Sequence, residues 1–344
     1  MSIAAIPERH RAALPRTAHP LRTMLQSGAL DLPVPGAGAT AQRWHRLLDW
    51  GRADLPLARL AEGHTDALAI LREAGAVPVP DALYGVWAAR SGGTGAELVG
   101  GPGAAALRGT VRFCSGAHLL DRALVVAATA GGSRVIDLDL SASGVRPVDD
   151  SWQASGMRDS DTVDVELADV AVGEGDLRGA PGWYTDRLGF WWGGAGVAAV
   201  WLGGALGVLD ALRAGLAPQP GHGVEQSRLA HLGALHASVS ASRALLDATA
   251  AAIDADPTSP HRTAVWTLRS AVERTCRDVL EVTPRAAGVA ALTRSPLGQQ
   301  LADLGIYVRQ HHGERDLAAL GESVLGASVP GGPVLGDAAL GDAR

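Results

Sequence analysis

The chain has 344 residues, of which 47% are hydrophobic and 19% charged, and its formal net charge is -6. This length and apolar content allow a large buried core without disulfides or metals. The acidic balance offers no basic surface for nucleic acid or anionic lipid, so we expect neither as a partner. All 30 basic residues are arginine, which excludes a lysine Schiff base and a phosphate-loop lysine.

Cysteine content and the N-terminal segment bear on metals and cellular location. Cys114 and Cys276 are too few for a disulfide framework and lack the spacing of zinc ligands. Met1 to Arg22 contains no continuous apolar run of the kind found in secretory signals. We therefore expect a cytoplasmic protein with no metal site.

One apolar stretch, Leu188 to Leu209, carries no charge and is long enough to span a membrane. Its many glycines dilute the hydrophobicity, and no second apolar segment supports a membrane topology. We predict a helix buried on all sides and no membrane partner.

The first two predicted domains differ in hydrophobic period. Residues 1–80 form a short N-terminal helical region, with helices at Gln42–Gly51 and His64–Ala74. Residues 81–180 form a middle β domain. The predicted strands are 111–113, 123–129, 134–140 and the alternating segment 163–167. An AGGS turn at 130–133 predicts a hairpin between the second and third of these.

Helical period returns over residues 181–325 and predicts a C-terminal four-helix bundle. The predicted helices are 197–216, the apolar stripe 229–246, the stripe 265–279 and 297–325. Ser259 followed by Pro260 predicts an N-cap with proline at the first helical position. Residues 326–344 lack any period and are predicted to be a disordered tail.

Common catalytic motifs give little support. The G-x-G-x-x-A matches at Gly36 and Gly194 do not follow strands, so they do not predict a nicotinamide site. The tryptophans at the entry to the bundle allow two interpretations: core packing, or a flat apolar wall for an aromatic cofactor or acyl chain. These are Trp183, Trp191, Trp192 and Trp201.

Near the end of the bundle, His311 and His312 lie among charged residues beside Gly313. A solvated helix start explains the charges. A functional site explains the histidines equally well, because histidine titrates near neutral pH and glycine allows close approach of a ligand. Both interpretations remain open from the residues alone.

Three segments carry a resemblance to a known family. They are LRGTVRFCSGAHLLDRALVVAAT (107–129), SWQASGMRDSDTVDVELADVAV (151–172) and RSPLGQQLADLGIYVRQHH (294–312). Over residues 60–325 the chain resembles the acyl-CoA dehydrogenase family, and within it a divergent group of actinobacterial dehydrogenase-like proteins. The resemblance implies a mostly α fold: a short helical lead-in, a middle β-barrel domain and a four-helix bundle.

The resemblance also implies a cofactor and a reaction. The family binds FAD between the β domain and the bundle, removes a proton α to a thioester, and passes hydride from the β-carbon to the flavin. Matched by position, the implied cofactor-binding residues are Val86, Trp87, Phe113, Ser115 and Gly116. The implied partners are an acyl thioester on CoA or a carrier protein, or another small molecule, and a second copy in a homodimer or homotetramer.

Several positions depart from the family pattern. The family's catalytic glutamate is replaced by His311 or His312, and one cofactor segment is reduced to WAARSGGTG at 87–95. The arginine loop that reaches a neighbouring subunit's FAD is deleted around Pro218–Gly223. The bundle segment Val197–Leu209 also lacks the family's substrate-binding arginine.

Three hypotheses follow. The first is an FAD-dependent dehydrogenase of acyl thioesters with His311 or His312 as base. The second is a flavin-dependent monooxygenase of the same fold, in which histidine donates a hydrogen bond near the flavin. The third is a partner or structural subunit that has lost the flavin.

Overall fold

The computed structural model describes residues 14–90, 92–101, 104–217 and 223–326. The predicted disordered tail and the predicted loop deletion around Pro218–Gly223 lie largely outside these residues. Within them, helices precede and follow one sheet. This order confirms the predicted fold class, mostly α with a central β domain.

Three helices precede the sheet: α1 (Ala18–Gln26), α2 (Thr40–Ala53) and α3 (Leu55–Glu73). The helices predicted at 42–51 and 64–74 are confirmed as parts of α2 and α3, whereas α1 was not predicted. Asp54 begins α3 as its N-cap, because its carboxylate accepts the N–H of Leu57 at 3.0 Å and Pro56 needs no partner in the first turn.

The described strands form one eight-stranded sheet. They are β1 (Tyr84–Trp87), β2 (Gly95–Val99), β3 (Ala105–Cys114), β4 (Arg122–Thr129), β5 (Gly132–Asp139), β6 (Val145–Val148), β7 (Val163–Val172) and β8 (Leu177–Arg178). Their order is β6-β7-β3-β2-β4-β5-β8, with β1 parallel to β4. The predicted β4–β5 hairpin is confirmed, with Thr129 paired to Gly132.

The helices after the sheet form the bundle. They are α4 (Trp183–Asp186), α5 (Leu188–Gly215), α6 (Gln226–Ala255), α7 (Arg262–Ala287), α8 (Val289–Arg294), α9 (Leu297–Tyr307) and α10 (Glu314–Val324). The apolar face predicted for α7 is fully buried, from Val265 to Val279. On α6, Leu235, Val239 and Leu246 are buried but Leu229 is exposed.

Two predictions about the bundle are wrong. Ser259 is not the N-cap of α7: the helix begins at Arg262, and His261 is the cap with a φ of 50°. The predicted helix 297–325 is interrupted. A short 3-10 turn at 308–310 and the positive φ of Gly313 separate α9 from α10.

Helix α5 lies at the centre of the molecule, where α2, α3 and α7 pack against it. It is long and apolar enough to cross a membrane, yet 78% of its most apolar window is buried within the chain. This burial confirms the predicted core helix.

Glycine in α5 makes close packing against α2 possible. A Cβ on Gly203 would lie 2.1 Å from the carbonyl oxygen of Leu48, and one on Gly51 would lie 2.4 Å from that of Val200. These helices therefore approach backbone to backbone, which any side chain at Gly203 would prevent. The glycine-rich composition of α5 thus fixes the crossing of α2 and α5.

Candidate functional site

A cavity of about 520 Å³ lies where α3, the sheet and the bundle meet. Sites for cofactors and small substrates usually measure roughly 300–1,000 Å³. The residues that line the cavity include Arg59, Glu62, Asp66, Val86, Trp87, Arg112, Phe113, Ser115, Trp152, Ser160, Thr162, Arg187, Phe190, Arg269, Tyr307, Arg309 and His312. Five of the seven residues proposed from the sequence are among them.

The sheet side of the cavity is flat and apolar. Val86 and Trp87 lie on β1, for which the described strand pairing is with β4 alone, and both residues line the cavity. The indole N–H of Trp87 donates to the carbonyl of Ser115 at 3.2 Å, which ties β1 to the end of β3. Phe113 and Trp152 add further aromatic surface.

Phe113 adopts a strained backbone conformation, with a φ of 60°. Bulky residues with positive φ are uncommon and cost roughly 1–3 kcal/mol, and they cluster at ligand sites. Here the Phe113 N–H is held by the carboxylate of Asp164 at 3.2 Å, and Arg112 lies 5.0 Å from the ring centroid. These contacts keep the Phe113 ring at the cavity.

Three hydroxyl groups form a chain that begins at the cavity. Ser115 Oγ lies 2.9 Å from Thr162 Oγ1, which lies 2.7 Å from Ser160 Oγ, and Ser160 Oγ lies 2.7 Å from the carbonyl of Met157. If Ser160 donates to Met157, Ser115 donates inward and offers the cavity an acceptor. The chain cannot reverse without losing the hydrogen bond from Ser160 to Met157, because a carbonyl cannot donate. With all three hydrogen bonds kept, Ser115 offers the cavity an acceptor.

His312 lines the cavity from the opposite side, and Asp316 fixes its ring. The Asp316 carboxylate accepts the His312 backbone N–H and lies 3.1 Å from Nδ1. Burial acts to raise the pKa of Asp316, but the hydrogen bonds from His312 hold it below its usual value. Since Nδ1 is engaged, Nε2 is the nitrogen available to a ligand, as in His–Asp pairs that transfer protons.

His311 lies behind the cavity wall, with only 5% of the residue exposed. Its Nδ1 accepts the N–H of Gly313, and its Nε2 lies 3.2 Å from Ser270 Oγ. Burial lowers the pKa of His311 to about 4. The neutral ring therefore connects Gly313, between α9 and α10, to α7. Of the two histidines proposed from the sequence, the geometry favours His312 as the reactive one.

Gly116 and the tryptophan cluster also lie outside the cavity lining. Gly116 has a φ of 73° and donates its N–H to the carbonyl of Ser160, so it shapes the turn that presents Ser115. Trp191 packs edge-on against Phe190 and Trp266. Core packing is thus the better interpretation of the tryptophan cluster.

The helical side of the cavity carries buried charge. Glu62 is 5% exposed, with Arg59 Nη1 at 2.8 Å and the Tyr307 hydroxyl at 3.4 Å from its Oε2. Burial raises the pKa of Glu62 to about 7, although Arg59 opposes the shift. Asp66 lies one turn further along α3, where Gly193 of α5 leaves room for its carboxylate. This side suits a polar ligand group.

Sequence reasoning missed Glu62, Thr162 and Arg269. Glu62 lies on an ordinary amphipathic helix, and Arg269 is one of several arginines on α7, so no local motif marks either residue. The sequence carries a local signal for one other residue near the site, Asp316, because it follows His312 at the spacing of one helical turn.

No protein-family model matches this chain, and no curated protein matches it. Solved structures do match. Dibenzothiophene monooxygenase TdsC from Paenibacillus sp. A11-2, in complex with FMN and indole, is 20% identical with a TM-score of 0.76, and the match covers 95% of each chain.

Two further structures are similar over most of their length. An FAD-dependent dehydrogenase is 15% identical (TM-score 0.78, covering 92% of this chain and 94% of that one). The nitrososynthase from Micromonospora carbonacea var. africana is 17% identical (TM-score 0.77, covering 91% of each chain). The chain has the acyl-CoA dehydrogenase-like fold. Identities this low show the fold alone.

The residues of the cavity fit a flavin ring. A flavin needs a flat apolar surface, backbone groups for its pyrimidine edge and a hydroxyl near its central ring. The aromatic surface, the segment of β1 at Val86 and Trp87, and Ser115 supply these three features on one wall. Arg112 and Arg309, both partly exposed, also line the cavity and could bind a phosphate.

Proposed function

We propose that the protein is a flavin-dependent oxidoreductase, and the observation that carries the proposal is one shared cavity. Val86, Trp87, Phe113 and Ser115 line one wall of it and His312 lines another, although these residues lie far apart in the chain. The fold supports the proposal, because solved structures with this fold contain FMN. FAD, which the family resemblance implies, and FMN are both candidate cofactors.

A bound flavin would supply hydride transfer or oxygen activation at the sheet side of the cavity. The chain's own residues would orient the ring, exclude water and move protons. Phe113 would cover one part of the ring, and the Ser115 hydroxyl would accept a hydrogen bond from it. His312, held by Asp316, would donate or accept a proton at Nε2 on the substrate side.

Between the two reactions, the charged side chains on the helical side of the cavity favour monooxygenation of a small polar molecule. An acyl chain requires an apolar tunnel, whereas Glu62, Asp66 and Arg269 line this cavity. The imidazole of His312 is also a different base from the desolvated carboxylate that removes a thioester α-proton in the family.

Dehydrogenation of an acyl thioester is the second candidate, and Glu62 favours it. This buried carboxyl has the raised pKa expected of a general base acting near neutral pH. A cytoplasmic location and a homodimer or homotetramer are further proposals from the sequence.

The reaction type is tested with flavin-loaded protein under two conditions. A dehydrogenase bleaches its own flavin when an acyl thioester is added without oxygen. A monooxygenase instead requires oxygen and an external supply of reduced flavin. A protein that takes up neither FMN nor FAD overturns the proposal and supports the hypothesis of a flavin-free partner subunit.

A further inference from the structure

Arg269 of α7 is a buried cation at the cavity wall. The residue is 3% exposed, and Nη1 and Nη2 donate to the backbone carbonyls of Gly194 and Gln310 at 2.5 and 3.2 Å. Its Nε is buried without a hydrogen-bond partner among the described residues. Each guanidinium carries five N–H donors, so several remain to be satisfied.

The other buried arginines of the cavity have carboxylate partners. Arg59 lies 2.8 Å from Glu62, and Arg187 lies 3.1 Å from Glu73. Within the described part of the chain, no carboxylate oxygen lies within 4.0 Å of the Arg269 nitrogens. Asp316 and Glu62 interact with Arg269 electrostatically from beyond this distance, so a bound anion could contact the guanidinium directly.

The surroundings of Arg269 hold its guanidinium in place and make it a receptor of fixed geometry. Its Cζ lies 4.8 Å from the centroid of the Trp201 ring, and that ring packs edge-on against Tyr307. Burial lowers the pKa of Arg269 to about 10, which leaves the side chain charged at neutral pH. The Tyr307 hydroxyl in turn reaches Glu62, and Arg269, Tyr307 and Glu62 all line the cavity.

We infer that Arg269 binds an oxyanion of the substrate, a carboxylate or a phosphate, on the helical side of the cavity. The substrate class is therefore a small anionic molecule. This inference rests on the proposed function only in taking the second ligand to be a flavin. The presence of the anion site does not depend on the proposed function.

Two chemical sources of an oxyanion must be separated: the substrate and the phosphate of the flavin. Arg112 and Arg309 are better placed for the flavin phosphate, because both are partly exposed whereas Arg269 is enclosed. A comparison of FMN with riboflavin reports on the phosphate alone. A comparison of benzoate with benzamide reports on the substrate anion, since the two probes differ in charge but hardly in shape.

The experiment measures binding of benzoate, phenyl phosphate and benzamide by calorimetry, with and without FMN. We expect at least one anion to bind the wild type 10-fold or more tightly than benzamide. Arg269→Gln should abolish this preference and Arg269→Lys should keep part of it. Arg277→Gln is the matched control, because Arg277 lies on the same helix, pairs with Glu273 and is 46% exposed at its side chain.

Equal binding of the anions and benzamide to the wild type would overturn the inference, whether or not any variant folds. The inference is also overturned if Arg269→Gln loses only the preference for FMN over riboflavin. A lower melting temperature of Arg269→Gln with unchanged anion preference would overturn it as well. Failure to bind flavin at all would count against the proposed function. The anion preference of the flavin-free protein still tests Arg269 in that case.

Discussion

Nδ1 of His312 lies 3.1 Å from Oδ1 of Asp316, and the other oxygen of the same carboxylate accepts the His312 backbone N–H. The carboxylate therefore fixes both the ring and the chain that carries it. His311, the adjacent residue, has both ring nitrogens in contacts with Gly313 and Ser270. Two neighbouring histidines thus have different environments, and different roles follow from them.

The first prediction separates these roles by alanine substitution. In flavin-loaded protein, His312→Ala should lower turnover by roughly 10²- to 10⁴-fold, because the proton-transferring group is lost. His311→Ala should leave turnover nearly intact and destabilise the fold by about 1–3 kcal/mol, because Gly313 N–H loses its acceptor. Steady-state kinetics and chemical denaturation measure the two effects. The reverse pattern would assign catalysis to His311.

The second prediction concerns stability at acid pH. Burial lowers the pKa of both His64 and His311 to about 4, so the folded state keeps these rings neutral while the unfolded chain protonates them near pH 6.5. The unfolded state binds more protons in this window, so stability should fall by a few kcal/mol between about pH 6.5 and 4. Urea denaturation of Glu62→Gln, which lacks the opposing carboxyl group, measures the slope across this range, and a flat profile in that variant would contradict the prediction.

Glu62 should produce the opposite dependence, which is the third prediction. Its pKa is raised to about 7, so between pH 4.5 and 7 the unfolded chain releases a proton that the folded protein retains. Glu62 therefore destabilises the fold as pH rises through this window. The free energy of unfolding of Glu62→Gln minus that of the wild type should therefore be larger at pH 8 than at pH 4.5. Glu281→Gln, at an exposed pair with Arg285, is the control and should show no such change.

The fourth prediction concerns the crossing of α2 and α5. Gly203→Ala places a Cβ about 2.1 Å from the Leu48 carbonyl, so backbone must move and the cost should be at least 3 kcal/mol. Gly215→Ala lies at the end of the same helix with nothing within 4 Å, and it should be neutral or stabilise by up to about 1 kcal/mol. Melting of both variants tests the packing. Equal melting temperatures would show that the helices do not meet at Gly203.

The fifth prediction concerns the hydroxyl chain. Thr162→Val keeps shape but removes the group that links Ser115 to Ser160, so flavin affinity should fall about 3- to 10-fold. Thr249→Val is the control, since that buried hydroxyl bonds the Leu245 carbonyl on α6, away from the cavity. It should lose similar stability with unchanged flavin affinity. Equal affinities for both variants would exclude a role for the chain.

Periodic apolar patterns predicted much of the fold. The face of α7 from Val265 to Val279 and the β4–β5 hairpin follow from local spacing, which is set by neighbours in the chain. Strands β1 and β2 were missed because both are short and contain glycine, so only pairing with β4 and β3 defines them.

The site was harder to predict than the fold. The contact between Glu62 and Tyr307 joins residues 245 positions apart, which no local pattern encodes. The family resemblance identified Phe113 and Ser115, but not the strain that holds Phe113 in place. Whether a buried charge has a counter-ion in contact with it also depends on how the chain packs. The lack of a carboxylate in contact with Arg269 could therefore be recognised only from the structure.

Flavin binding by this cavity is the central claim, and a direct titration tests it. Purified protein freed of cofactor is titrated separately with FMN and FAD while the visible spectrum of the flavin is recorded. We predict saturation at about one flavin per chain for at least one of them, with affinity weakened about tenfold or more by Phe113→Ala. Absence of saturation with both flavins, in protein that melts cooperatively, would contradict the account.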